Sequence, residues 1–123
     1  MAKVFLDANI FIDLLEGRGK ILEKKLDKSI LFVSTLSIEI WSYVYKHSIP
    51  DEKCLEFFNT FNFVDYTSSI AKKSFSGPTA DFEDNIQLHS ASESGCDVFI
   101  TNDKKLLQIG YFGKVRICNF LDR

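Results

Sequence analysis

Lys3–Ile12 reads KVFLDANIFI. Val4-Phe5-Leu6 is a short apolar run that stops at Asp7, and a second apolar run follows Ala8 and Asn9. Strands covered on both faces lack polar alternation, so the pattern predicts a buried parallel strand over 3–6. That strand carries a carboxylate at its C-terminal tip and turns directly into a helix. In open α/β sheets, ligands bind outside the carboxyl ends of the strands. Asp7 is therefore a candidate site residue, and further acids are expected at the same address.

The rest of the chain repeats the alternation. Strands are expected over 30–33, 63–66 and 98–100, with a last edge strand over 115–118. Helices are expected over 9–15, 20–28, from the Ser34/Thr35/Ser37 cap to about 46, over 51–61, from 67 or 68 to 75, and from 81 to about 94. A loop or short helix spans 104–107. Ile10, Leu14 and Phe11 are placed inward on the first helix, Ile38, Trp41 and Tyr45 share one face of the third, and Leu55 and Phe58 are placed inward on the fourth. The helix opened by Asp81 reads as polar-faced, and Gly95 follows its end as a C′ residue. No hairpin signal such as Asn-Gly, no internal repeat and no linker is visible. Strands that alternate with helices predict an α/β fold: a three-layer α/β/α sandwich with a mainly parallel central sheet of four to five strands. A single domain is expected over residues 1–123.

Composition narrows the function classes. Hydrophobic residues are 46% and charged residues 26% of the 123, an ordinary globular balance. The net charge is −2, with 8 basic and 9 acidic residues in 1–60 and 7 and 8 in 61–123. No basic face emerges, so a nucleic-acid partner would need a local patch or a metal to supply attraction. Cys54, Cys96 and Cys118 form neither a disulfide framework nor a zinc pattern, which points to a reducing, cytoplasmic setting. No apolar run approaches about 18 residues, so no membrane association is expected. The 12 phenylalanines point first to core packing; Phe11 and Phe57-Phe58 are candidates for a surface covered by another chain.

Several acids fall just past a strand or at a helix start: Asp7, Asp103 after the 98–100 strand, Asp81 and Asp84 at the start of their helix, and Glu39 one turn into the helix after the second strand. Each has an ordinary structural reading. Asp7 and Asp103 suit turns or caps, Asp81 suits an N-cap with Asp84 stabilised by the helix dipole, and Glu39 suits a solvated helix face. Their shared location is what singles them out. Carboxylates in one crevice repel unless a cation lies between them, and hard divalent ions take oxygen ligands. Elsewhere the signals are weaker. His47 and His89 have no evident partner at ligand spacing, and the cysteines read as small buried hydrophobes. There is no dinucleotide or Walker loop. Lys104 and Lys105, and after them Arg18, Lys20, Lys24 and Lys25, are the candidate cations for phosphates.

Phe5-Leu6-Asp7-Ala8-Asn9-Ile10, Asp81-Phe82-Glu83-Asp84-Asn85-Ile86-Gln87 and Gly95-Cys96-Asp97-Val98-Phe99-Ile100-Thr101-Asn102-Asp103 resemble, in order and spacing, the motifs of PIN-domain proteins. The short length resembles the toxin-type, VapC-like members of bacterial and archaeal toxin–antitoxin pairs. The resemblance implies a Mg²⁺- or Mn²⁺-dependent ribonuclease with Asp7, Asp84 and Asp103 as metal-site acids. Glu39 is the only acid in the region where the family places another catalytic carboxylate. Counted from Ser34, it comes one residue before the usual position, where Ile40 stands, and one residue is about 100° of helical rotation.

The expected function is hydrolysis of RNA phosphodiester bonds by a toxin, with Asp7, Asp84, Asp103 and Glu39 as catalytic residues. Its expected partners are an RNA substrate, a small antitoxin and further copies of itself. The alternative from another class is a weak or inactive PIN-like module that binds RNA or a protein. A third reading, phosphoryl transfer through Asp7, follows from the superficial likeness of Asp7-x-Asn9 to the haloacid-dehalogenase motif, which wants a second acid where Asn9 stands.

Overall fold

The computed structural model describes residues 1–119; the last four positions of the domain expected over 1–123 lie outside the described residues. The chain runs β1 (Lys3–Leu6), α1 (Ala8–Leu15), α2 (Lys20–Lys25), β2 (Ile30–Ser34), α3 (Thr35–Val44), α4 (Glu52–Thr60), β3 (Asn62–Val64), α5 (Ser68–Ser74), α6 (Phe82–Glu93), β4 (Val98–Ile100), α7 (Lys104–Ile109), β5 (Tyr111–Phe112) and β6 (Val115–Cys118). The sheet is six-stranded in the order β3-β2-β1-β4-β6-β5, parallel except for the β5–β6 pair.

β1 is the hinge of this topology. Its Val4 pairs with Leu31 of β2 on one side and with Val98 of β4 on the other. From β2 the chain moves outward to β3, then crosses back over the sheet to start β4 beside β1. Strand order therefore reverses between β1 and β4, and a crevice opens at their carboxyl ends, where such sheets bind ligands. Asp97 fastens the opposite end: its Oδ2 accepts from the Lys3 backbone N–H at 2.9 Å, and its own N–H donates to Lys3 O at 2.8 Å.

Side chains alternate across the strands and divide the core in two. Val4, Leu6, Val33, Val98 and Ile100 meet Ile10 and Phe11 of α1 and Trp41 of α3 on one face. Phe5 and Phe99 stack at 5.5 Å on the other, against Leu88 and Ala91 of α6 and Leu106 of α7. The result is the expected helix–sheet–helix sandwich. Among the described residues, no helix is long and apolar enough to cross a membrane.

Four details depart from the expectations. The sheet has one strand more than four to five, because a tight turn at Gly113-Lys114 folds β5 back onto β6, leaving β5 rather than β6 at the edge. α4 packs through Cys54 and Phe57, while Leu55 and Phe58 are 65% and 53% exposed. The Asp51 carboxylate caps α4 by accepting from the Cys54 N–H at 3.2 Å. Phe57 packs edge-on to Trp41 of α3 at 5.5 Å, so the inward face lies one residue earlier than the apolar spacing suggests. Phe11 is fully buried, edge-on to Phe61 at 5.2 Å, so it cannot serve as a surface for a partner. Tyr45 lies past the end of α3 and is exposed.

Candidate metal centre

Asp7 follows the last residue of β1, and its N–H extends the ladder by donating to Ile100 O at 3.1 Å. Its φ and ψ of −60° and 155° are extended, so the strand ends and α1 begins on this residue. The side chain is 8% exposed. Oδ1 accepts from the Ala8 N–H at 2.9 Å and Oδ2 from the Thr101 hydroxyl at 2.7 Å. The Thr101 Oγ1 accepts in turn from the Asp103 N–H at 3.0 Å. A single fully buried hydroxyl thus ties the acid at the tip of β1 to the loop beyond β4. Asp103 caps α7, with Oδ1 accepting from the Lys105 N–H at 2.8 Å.

Asp84 arrives from the start of α6. Asp81 caps that helix through Oδ1, which accepts from the Asp84 N–H at 2.9 Å. The approach loop is clamped by Asn85, which is 2% exposed. Its amide donates to Ser74 O and Thr79 O, both at 2.9 Å, and its Oδ1 accepts from the Thr79 N–H and hydroxyl. Sequence reasoning passed over Asn85 as a positioning residue. The available signal was a carboxamide directly after a candidate acid, with Thr79 six residues before it. Contrary to its polar reading, α6 buries polar residues along its length, including Asn85, Gln87 and Ser90. Gln87 donates through Nε2 to the Ser37 hydroxyl of α3 at 3.1 Å, while its buried Oε1 has no hydrogen-bond partner.

The electrostatics report which acids share the crevice. Burial first, then the charges of Asp81, Asp7, Asp103 and Glu83, push Asp84 from an ordinary 3.8 up to about 7. Asp7 is also raised, mainly by burial, with Asp103 and Glu83 adding to the effect and the hydrogen bonds from Thr101 and Ala8 opposing it. Glu83 is raised by burial and by Asp81. Asp7 and Asp103 therefore both act on Asp84, and Asp103 acts on Asp7. Glu39 is not among the charges acting on either Asp7 or Asp84; it is exposed on α3 and borders a separate groove with Trp41 and His47. The α3 side chain that reaches α6 is the neutral Ser37.

Ion pairs among the described residues join Arg18 to Asp13, His47 to Asp51 and Lys73 to Glu93; none involves Asp7, Asp84 or Asp103. The three site carboxylates are not all within 4.8 Å of one another. The donors fit a hard divalent cation, since they are carboxylate oxygens with the unpartnered Gln87 Oε1 one turn away, and Mg²⁺ keeps waters between itself and some of its carboxylates.

Without such a cation the cluster makes stability depend on pH. Folding raises the Asp84 pKa above its unfolded value, so the native state binds more protons between 3.8 and about 7 and is favoured less as pH rises through that window. The chelated protein is expected to melt at a lower temperature at pH 8 than at pH 5, and Asp84→Asn should flatten the difference. Thermal melts at the two pH values check this; an equal slope in wild type and variant would remove Asp84 as its source.

A family model described as PIN domain matches residues 4–110. No curated protein matches the sequence significantly. Among solved structures, the chain is similar to one in VapBC from Salmonella typhimurium bound to DNA, with 18% identity, TM-score 0.67 and coverage of 97% of this chain and 98% of that one. It is also similar to one in VapBC2 from Rickettsia felis bound to a DNA fragment from their promoter, with 13% identity, TM-score 0.62 and coverage of 96% and 98%. At these identities the likeness is one of fold.

Proposed function

The chain belongs to the PIN domain family, and we propose that it is a Mg²⁺- or Mn²⁺-dependent endoribonuclease acting in the cytoplasm as the toxin of a toxin–antitoxin pair. One observation carries the reading: acids from the end of β1, the start of α6 and the cap of α7 act on one another at the topological switch point, and none of them has a basic ion-pair partner among the described residues. Asp7, Asp84 and Asp103 would hold the ion. A divalent ion so held supplies a bound water of lowered pKa and offsets charge on the scissile phosphate.

The chain's own groups provide the rest. Thr101 orients the Asp7 carboxylate and anchors Asp103. Asn85 fixes the turn that delivers Asp84. Lys104 and Lys105, exposed directly after Asp103, are placed to meet phosphates of an extended strand. Phe75 and Phe82 stack at 4.3 Å between the end of α5 and the start of α6, with Phe75 80% exposed. Aromatic faces of this kind stack unpaired bases, which supports a single-stranded substrate. Two solved neighbours are VapBC complexes, which supports a small protein partner. Exposed Tyr43, Val44, Leu55 and Phe58 on α3 and α4 offer apolar surface to that partner or to a second copy.

The test is cleavage of a single-stranded RNA oligonucleotide by the purified chain. Product is expected to rise with Mn²⁺ through the millimolar range, to vanish with chelator, and to be lost in Asp84→Asn. A second reading has its own support: with Glu39 outside the acid cluster, the chain would be a PIN-like module that binds RNA or protein without cutting. RNA binding without cleavage, together with a melting temperature indifferent to Mn²⁺, would decide for that module.

A further inference from the structure

The connection between α3 and α4 gathers three metal-ligating side chains at the spacing His47-x₃-Asp51-x₂-Cys54. One ligand atom from each lies within 4.8 Å of the others. His47 Nδ1 stands 3.7 Å from Asp51 Oδ2, close to the roughly 3.3–3.8 Å edge of a tetrahedron with zinc-type bond lengths. Asp51 is fixed by its role as the cap of α4, and the backbone N–H it accepts from belongs to Cys54. The imidazole is held against the Trp41 ring, with centroids 3.8 Å apart. Its Nε2 is buried without a hydrogen-bond partner, and at 3.7 Å its Nδ1 is too far from Asp51 for a good hydrogen bond. The ring is thus positioned firmly while its polar atoms are poorly used. Sequence spacing alone did not pair His47 with these residues, because the loop through Ile49-Pro50 hides their approach.

We propose that His47, Asp51 and Cys54 form a binding site for a zinc-type divalent cation, separate from the acid crevice, that fastens the α3–α4 junction. The donor set decides the class. One sulfur, one imidazole nitrogen and one carboxylate oxygen suit Zn²⁺ and are wrong for Mg²⁺, which takes oxygen. The three residues line an apolar groove of about 380 Å³ with Ile38, Trp41 and Phe58, so a fourth position is left to water or another donor from solvent. A nucleophilic role for Cys54 is disfavoured, since burial and the adjacent Asp51 carboxylate raise its pKa. On binding, the thiol proton leaves to solvent and the thiolate becomes a ligand.

Cobalt(II) tests the site, because only a thiolate ligand gives intense near-ultraviolet sulfur-to-cobalt charge-transfer absorption. The reduced, chelator-treated chain is expected to develop that absorption with one equivalent of Co²⁺. Zn²⁺ should abolish it, and excess Mg²⁺ should leave it in place. Asp7→Asn should retain it; His47→Ala and Cys54→Ser should lose it. In the wild-type chain, Zn²⁺ should also slow alkylation of Cys54 at least tenfold, a measurement that does not depend on the variants folding. Absence of the band at millimolar Co²⁺, its survival in Cys54→Ser, or unchanged alkylation would each overturn the proposal. Because the readout is sulfur ligation, loss of RNA cleavage through the acid crevice leaves it unaffected.

Discussion

Asp7→Asn is expected to lower Mn²⁺-dependent RNA cleavage by about 10²–10³-fold, since metal-centred charge stabilisation is worth several kcal/mol and about 1.4 kcal/mol is a factor of ten. Asparagine keeps the size of the side chain; with its oxygen accepting from the Ala8 N–H, its amide N–H can donate to the Thr101 hydroxyl oxygen, so loss of the ionised oxygen is the main change. Its effect on stability should have the opposite sign. Burial and neighbouring acids raise the Asp7 pKa, so the ionised group is a burden on the metal-free fold. At pH 8 in chelator, the variant should melt no lower than wild type. Steady-state cleavage and thermal melts on the same preparation check both parts. A variant that cleaves normally, or that loses activity only because it unfolds, would remove Asp7 from the catalytic centre.

Phe99→Ala is expected to have the largest effect on the fold. Phe99 lies at the centre of β4, fully buried, with its ring stacked on Phe5 of β1. Truncating such a ring costs about 3–5 kcal/mol, from lost transfer energy and the cavity left behind. That is a large part of the roughly 5–15 kcal/mol that holds a domain together. Urea unfolding should show a lower midpoint with little change in slope, and the melting temperature should fall by about 10–20 °C. A drop below about 1 kcal/mol would mean that α6 and α7 close over the vacancy.

The two predictions draw on parts of the molecule that were legible in sequence to different degrees. β1, the second strand and the Val98–Ile100 strand are plain in sequence because they are apolar runs ended by turn or cap residues. Asp7 and Asp103 stand out in sequence as candidates because each caps a helix just past such a run, and Asp84 because it opens a helix after a turn. Phe99 belongs to that legible class too. Less could be read where a neighbour in space decides. The face of α4 is set by Trp41 of α3, against which Phe57 packs, and two-residue β5 exists only because β6 offers an edge to pair with. Asn85 and Gln87 look like solvent-facing residues until Ser74, Thr79 and Ser37 are brought beside them. Glu39 is the instructive case: residue type and approximate position suited the acid set, but Glu39 is exposed on α3, while the neutral Ser37 is hydrogen-bonded to α6.

The central place of β1 also bears on how the chain comes together during synthesis. Its first neighbour, β2, follows within about thirty residues, but β4, which covers its other edge, begins only at Val98. Until that segment leaves the ribosome, Val4–Leu6 presents an unpaired row of backbone amides and carbonyls beside an apolar surface, the feature that invites pairing with the wrong strand. The crevice at the end of β1 does not exist during this interval, since Thr101 and Asp103 have yet to be made. A nascent chain therefore holds Asp7 and Asp84 of the acid crevice, without Asp103, until the segment after β4 has been made.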